Sequence, residues 1–170
     1  PEMKALVRDD ERERPFAALA QGLGQATPAN AVILISGRWT SLEYCVPLLA
    51  NRRRLSLDRG LNKVDRAKGL AYLRSSLESL RRDGVPVYTL SETFSAKSMT
   101  FLLRKYGLLK EEAESLVAPY RPVKAARFKV PGLGEQTLLL MRPNDPKEAA
   151  RLDKNLRRSG FAAHADLARD

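Results

Sequence analysis

Cysteine and histidine are almost missing from this chain, and their scarcity excludes several kinds of site. The 170 residues contain one cysteine, Cys45, and one histidine, His164. An internal disulfide needs two cysteines, and a zinc site of cysteine and histidine ligands cannot be assembled from one of each. A nucleophilic Cys45 would need a base beside it, whereas His164 lies in the C-terminal tail. We therefore expect no metal, no cofactor and no catalytic triad, and these absences argue against an enzyme.

Long apolar runs are absent as well. No stretch reaches the 18 apolar residues that a membrane-spanning helix requires. The first residues contain no apolar segment of the kind typical of a secretion signal. Together with the single cysteine, these absences predict a cytoplasmic protein that has no membrane partner.

The usual phosphate-binding signatures are missing too, since neither a P-loop nor a G-x-G-x-x-G pattern occurs. One loop is still a candidate anion site, because backbone N–H groups at a helix N-terminus can cradle a phosphate. Its residues are Gly37, Arg38, Trp39, Thr40 and Ser41. The simpler interpretation is that Thr40 or Ser41 caps the helix that follows. For Trp39 the alternatives are stacking on an exposed base and packing at the rim of the core.

Carboxylates are the remaining candidates for a metal site, because their oxygens are the ligands that Mg²⁺ prefers. The residues in question are Asp58, Asp65 and Glu92. Their spacing matches no nuclease pattern, and we interpret them as solvated surface residues. The sequence therefore predicts no metal site.

Positive charge is what the sequence has in excess. Lys and Arg number 30 against 20 Asp and Glu, which gives a net charge of +10. Residues 52–84 alone contain ten basic and four acidic side chains, and eight of those ten are arginine. Concentrated positive charge attracts polyanions, and the planar guanidinium suits bidentate contacts with phosphate. The predicted phosphate contacts are Arg52, Arg53, Arg54, Arg59, Lys63, Arg66, Arg74, Arg81, Arg82, Arg127 and Lys129.

Apolar periodicity predicts an α+β fold in which a small sheet is packed with about six helices. Strands are expected at 31–35 and 85–90, and the clearest helix has Asn62 as its N-cap and runs to residue 82. Further helices are expected at 15–26, 42–49, 95–106, 110–118 and 146–159, with a hairpin of 127–130 and 136–141. Residues 52–60 are predicted to be a basic connection, and 161–170 a frayed tail.

The same pattern divides the chain into three segments. They are an N-terminal α/β segment (1–60), a central module (61–145), and a C-terminal helix and tail (146–170). We expect the three segments to pack as one unit.

The central module has a recognisable order of elements from 62 to 141: helix, short strand, helix, tight turn, helix and hairpin. This order resembles a winged-helix domain, a helix-turn-helix variant in which the hairpin is the wing. The resemblance implies DNA binding, with 110–118 as the recognition helix and 131–135 as the wing tip. It also implies that Arg127 and Lys129 face phosphate.

The expected recognition helix departs from that pattern. Glu111, Glu112 and Glu114 stand where a groove-reading helix usually has basic or amide side chains. Either the module docks through the arginine-rich helix of 62–84 instead, or it is a version of the fold that binds protein.

These features favour a non-enzymatic protein that binds nucleic acid, DNA more than RNA, through an arginine-rich surface. A second hypothesis is an α/β enzyme or ligand-binding domain, in which strands 31–35 and 85–90 are parallel and an anionic substrate lies over the 36–41 loop. A third hypothesis is an adaptor in a nucleoprotein complex, in which the acidic helix 110–118 meets a protein partner.

Overall fold

The apolar run after residue 31 forms the centre of a five-stranded sheet. In this computed structural model the backbone is described for residues 2–62 and 65–167, and the side chains for 14–58, 61 and 65–167. The strands are β1 (Val32–Ile35), β2 (Arg53–Ser56), β3 (Val87–Leu90), β4 (Tyr120–Val130) and β5 (Gly134–Pro143). Their order in the sheet is β2-β1-β3-β5-β4. β1 is parallel to β2 and β3, whereas β5 is antiparallel to β3 and β4.

Helices cover both faces of this sheet, so the predicted α+β fold is confirmed. The first face carries α1 (Glu2–Ala26), α2 (Leu42–Leu49), α7 (Pro146–Arg158) and α8 (Ala162–Asp166). The second face carries α3 (Leu57–Asn62), α4 (Arg66–Arg82), α5 (Ala96–Tyr106) and α6 (Lys110–Val117). Short 3₁₀ turns follow β1 (Gly37–Trp39) and β3 (Ser91–Phe94). None of the described helices combines the length and apolar composition that a bilayer crossing requires.

β1 is apolar throughout because both of its sides are buried. Ile33 and Ile35 belong to the core between the sheet and the helices of its first face. Val32 and Leu34 belong to the core between the sheet and the helices of its second face. Burial of each such side chain stabilises the fold by roughly 1.5–3 kcal/mol. A shift of β1 by one residue relative to β2 and β3 would turn each set of side chains toward the opposite face. Burial on both sides therefore fixes the pairing register of β1 with its neighbours.

One sheet joins the N-terminal segment to the central module. β1 and β2 come from residues 1–60, and β3, β4 and β5 come from residues 61–145. Because β3 lies between β1 and β5, the hairpin of β4 and β5 extends the main sheet and does not stand apart from it. The element order expected for 62–141 is present, and the winged-helix resemblance stays a prediction.

Capping signals in the sequence place the ends of two helices correctly. Ser95 is the N-cap of α5 and accepts the backbone N–H of Ser98 at 3.2 Å. Gly107 ends the same helix with a φ of 67°, a left-handed conformation that glycine adopts without steric cost. Asp145 caps α7 through its side chain, with Pro146 in the first turn.

Two predictions near residue 60 are wrong. Residues 52–60 are not a connection, because β2 and α3 form there and bury Leu55 and Leu57. β2 has only four residues at a sheet edge, which is too short for a recognisable alternation. Asn62 does not cap α4, since it lies in α3 and Asp65 supplies the side-chain cap instead.

The two ends of the chain also differ from the prediction. α1 begins at Glu2 and not at the predicted Pro15. The first half of the helix is rich in charged residues and has no apolar stripe, so the sequence pattern did not indicate a helix there. The expected frayed tail contains α8, whose Ala165 is fully buried. Residues 168–170 lie outside the described residues.

Arg52 ties the C-terminus of α1 to the loop after α2. Its Nη2 donates to the carbonyl oxygens of Gly24 at 2.7 Å and Thr27 at 2.8 Å. Nη1 donates to the carbonyl of Ala50 at 3.0 Å, and Nε to the Thr27 hydroxyl at 3.1 Å. The last carbonyls of a helix have no partner within the helix, and Arg52 satisfies them here.

Replacing Arg52 should therefore cost stability. We expect Arg52→Ala to lower the free energy of unfolding by about 2 kcal/mol, because several carbonyls lose a charged donor. The adjacent Arg53 is exposed, and Arg53→Ala, the matched control, should change stability by less than about 0.5 kcal/mol. Urea unfolding measures both values, and equal midpoints for the two variants would contradict the role of Arg52.

His164 docks α8 on the sheet. Its Nδ1 lies 2.7 Å from the hydroxyl of Tyr88, a fully buried residue of β3, and its ring packs against Phe161. Burial lowers the pKa of His164 and raises the pKa of Tyr88. Burial therefore disfavours the protonated, charged form of His164 in the folded protein.

Stability should fall when the protein is acidified through the ordinary histidine range. Below about pH 6.5 the unfolded chain binds a proton that the folded chain does not, until the pH reaches the lowered pKa of folded His164. The free energy of unfolding then falls by up to about 1.4 kcal/mol per pH unit. His164→Gln removes this titration, and no other histidine is present to replace it. Urea unfolding between about pH 7.5 and 5.5 should show the slope in the wild type only, and the same slope in the variant would refute the assignment.

Candidate nucleic-acid interface at the carboxyl end of the sheet

Polar residues gather where the three parallel strands end. Asp58 follows β2, Gly37 and Arg38 follow β1, and Glu92 follows β3. The strands are neighbours and run in the same direction, so these residues meet at one edge of the sheet. Ligands of open α/β sheets bind at this edge.

Asp58 fills the turn after β1. Its Oδ1 accepts the backbone N–H of Gly37 at 2.7 Å, and its Oδ2 lies 3.5 Å from the hydroxyl of Tyr106. Desolvation raises the pKa of Asp58, and the Gly37 hydrogen bond and the charge of Lys105 act against that rise. A Cβ on residue 37 would overlap the Asp58 carboxylate, so only glycine fits at that position. The protein's own carboxylate thus occupies the place of an anion.

Arg38 also has an internal partner, because its guanidinium forms an ion pair with Glu92. The hydroxyl of Ser98 donates to the carbonyl oxygen of Glu92 at 2.7 Å and to its Oε1 at 3.3 Å. In the predicted anion loop, both the Gly37 N–H and the Arg38 guanidinium are therefore directed at carboxylates of the same chain. As it stands, the loop is a structural turn.

The other residues of the predicted anion loop have structural contacts. The ring of Trp39 packs edge-on against Phe16 with the ring centres 5.6 Å apart, at the rim of the core beneath the first face. The Thr40 hydroxyl donates to the carbonyl of Gly37 at 3.2 Å. Ser41 is the N-cap of α2 by position, but its side chain makes no capping hydrogen bond, so the predicted side-chain cap is not formed.

The carboxylates considered as metal ligands are separated by these contacts. Asp58 and Glu92 bond to the loop, and Asp65 caps α4. In the part of the chain that the structure describes, no three potential ligands are grouped in a way that suits a metal ion.

α5 crosses the carboxyl ends of all three parallel strands. Ser98, in the first turn of α5, donates a hydrogen bond to Glu92, which follows β3. Tyr106, the last residue of α5, contacts through its hydroxyl the carboxylate of Asp58, which follows β2. Its outward face lines an open groove with Lys97, Thr100, Phe101, Arg104 and Lys105. None of these residues is among the predicted phosphate contacts, although their spacing on a predicted helix places them on one side.

The hairpin brings more cations to the same end. Leu90, the last residue of β3, pairs with Leu138, so the tip of the hairpin projects beyond the carboxyl end of β3. Phe128 and Val130 pack beneath the first face, and the alternating Arg127 and Lys129 are exposed toward the second. Lys124 pairs across from Leu139 and has the same orientation as Arg127, which pairs with Thr137. We define the basic surface as the exposed cations of α5 and of residues 124–129 of β4: Lys97, Arg104, Lys105, Lys124, Arg127 and Lys129.

Six of the predicted phosphate contacts have partners within the protein. Arg82 and Arg127 form exposed ion pairs with Asp83 and Glu135, and the other four are Arg52, Arg54, Arg66 and Arg81. Arg52 binds the carbonyls described above. Arg54 Nε lies 2.7 Å from an Oε2 of the buried Glu43. Arg66 donates to the carbonyl of Gly107 at 2.7 Å and lies near Glu112. Arg81 pairs with Glu148 at 3.3 Å and lies over the ring of Tyr120. We leave these four out of the basic surface.

The other predicted contacts lie in several places. Arg53 is exposed on β2, at the opposite edge of the sheet from Arg127 and Lys129 on β4. Arg74 and Arg82 are exposed on α4, over the second face. The side chain of Arg59 and all of Lys63 lie outside the described residues. Among the predicted contacts whose side chains are described, only Arg127 and Lys129 lie on the part of the hairpin that projects beyond the carboxyl end of β3, the end that α5 crosses.

Comparison of the chain with protein-family models, with curated proteins and with solved structures gives no match. The function is therefore argued from the residues and their geometry.

The tie between Gly37 and Asp58 can be tested by substitution. Gly37→Ala should destabilise the fold by more than about 2 kcal/mol, because the new methyl group overlaps a carboxylate that has little room to move. In an Asp58→Ala background the same change should cost far less. A double-mutant cycle by urea unfolding should give a coupling above about 1 kcal/mol. Additive costs would show that Asp58 does not constrain residue 37.

Proposed function

We propose that this protein binds nucleic acid, with DNA favoured over RNA, and that the basic surface contacts the phosphates of the nucleic acid. The observation that supports the proposal is that five of the six cations have no ion-pair partner among the described acidic residues. The sixth, Arg127, lies 3.7 Å from Glu135, and both side chains are mostly exposed. Exposed pairs of this kind contribute little to stability, so Arg127 can exchange Glu135 for a phosphate.

The cations lie on α5 and on β4. α5 provides three of them across the carboxyl ends of the parallel strands, and β4 provides Arg127 and Lys129 beyond the end of β3 and Lys124 level with Thr89. Each phosphate contact releases counterions from nucleic acid, which favours binding and makes it dependent on salt. Arg127 and Lys129 are also the residues that the winged-helix resemblance directs toward phosphate.

The hypothesis of an α/β enzyme or ligand-binding domain has one observation in its favour. β1 and β3 are parallel neighbours, as that hypothesis requires. An anion over the loop would have to displace Asp58 from Gly37 and Glu92 from Arg38, so we rank this hypothesis second. Titration with inorganic phosphate tests it through the backbone amide of Gly37, which should shift in an NMR spectrum if an anion replaces Asp58.

The adaptor hypothesis stays a prediction. Glu111 and Glu114 are exposed on α6, where a partner protein can reach them. Glu112 accepts the backbone N–H of Leu109 at 3.0 Å and so acts first as a cap of its own helix.

Removing the cations of α5 should weaken binding for all sequences alike. For Lys97→Ala, Arg104→Ala and Lys105→Ala combined, we expect affinity for labelled DNA to fall roughly tenfold or more. The slope of log affinity against log salt should flatten by about 0.7–0.9 for each phosphate that the variant no longer neutralises. Fluorescence anisotropy at several salt concentrations measures both quantities.

A matched control removes the same number of charges elsewhere. Arg74, Lys154 and Arg158 are exposed and lack an ion-pair partner among the described residues, and none belongs to the basic surface. Their combined alanine variant has the same net charge as the α5 variant and should keep most of the affinity. Equal losses in both variants would mean that net charge alone attracts DNA, and the proposal would then fail.

A further inference from the structure

We infer that the nucleic acid is bound as a single strand across α5, with one base stacked on Phe101. This inference rests on the proposed function and names the form of its ligand. The groove on α5 contains an aromatic ring among cations, and phosphate contacts alone give no use for such a ring. Proteins that bind single strands combine a basic groove with aromatic side chains on which bases stack.

The spacing on α5 suits a strand that runs along the helix. Lys97 and Arg104 are seven residues apart, which is about 10 Å along the helix axis. Phe101 lies between them on the same side, four residues after Lys97. Lys97 and Arg104 are therefore placed to contact two phosphates of one strand, and Phe101, between them, is placed to stack on a base.

Phe101 is held in place but is not enclosed. Its ring is half-buried against the core beneath the second face and lies edge-on to Tyr106, with ring centres 6.5 Å apart. The ammonium of Lys105 lies over both rings, 5.4 Å from the centre of Phe101 and 5.3 Å from that of Tyr106. Lys105 has a flexible stem, so it can move to a phosphate and leave the Phe101 ring to a base.

None of the described residues that line this groove is acidic. Lys97, Arg104 and Lys105 make no ion pair with a described acidic residue, so a polyanion need not displace a carboxylate from any of them. In a duplex the bases are stacked on each other and are not available to Phe101. Charge complementarity together with the accessible part of the Phe101 ring therefore favours single-stranded DNA as the occupant.

The test compares affinities for a single-stranded oligonucleotide and for the matching duplex, by anisotropy. We expect the wild type to bind the single strand more tightly. Phe101→Leu should lower single-strand affinity about tenfold, as expected for the loss of one stacked base. It should leave duplex affinity and the salt slope unchanged, because no charge is removed. An oligonucleotide that contains 2-aminopurine should report stacking by a fluorescence change with the wild type only.

Two further variants keep the test decisive. Tyr72 is an exposed aromatic residue of α4 outside the groove, and Tyr72→Leu should bind like the wild type. Phe101→Tyr retains a ring and should restore single-strand binding, which separates stacking from a loss of folding. Tighter binding of the duplex by the wild type, or equal single-strand affinity of Phe101→Leu and wild type, would overturn the inference. If the α5 charge variant still weakens binding in that case, the proposed function stands, and if the wild type binds neither form, the proposed function fails as well.

Discussion

The burial of β1 on both sides is the constraint on which the rest of the structure depends. A strand that is apolar on both sides needs helices over both faces of its sheet and a neighbour at each edge. Its neighbours β2 and β3 are parallel to it, so each connection must cross over a face and return to the same end. The crossovers use α2 on the first face, and α3 and α4 on the second. As a result, the ends of three strands meet at one edge.

Short-range contacts then fix what that edge presents. Asp58 holds the turn after β1 through the Gly37 N–H, and Glu92 holds Arg38. The same two carboxylates attach α5, through Tyr106 at its end and Ser98 at its start. Once α5 is attached, its outward side carries cations that form no ion pair with a described acidic residue. The carboxylates that close the anion loop therefore also position the helix that we assign to nucleic acid.

Elements that are specified by residues near in sequence were predictable, and elements that are stabilised by contacts with distant residues were not. β1, α5 and the start of α7 follow from apolar runs and caps within a few residues. β2 does not, because four residues at an edge are stabilised mainly by pairing with β1. α8 was not predictable for a similar reason, since His164 bonds to Tyr88, which is 76 positions earlier in the chain.

The candidate site shows the same division. The outward orientation of Arg127 and Lys129 was predictable because they alternate with apolar residues in a hairpin. Arg81 looks equally available in the sequence, but its partner Glu148 is 67 positions away and becomes a neighbour only in the folded protein. The cations of α5 are too few to stand out beside the arginines of 52–54. Their signal was the helical spacing around Phe101 in the predicted helix 95–106, and the denser positive charge of residues 52–84 outweighed it.

The most direct measurement of the central claim is to map bound DNA on the protein by backbone amide NMR. Single-stranded DNA added to labelled protein should shift the amides of α5 and of residues 124–130 most. Shifts confined to residues 52–54 and α4, or shifts that avoid α5, would contradict the proposal that the basic surface holds the ligand.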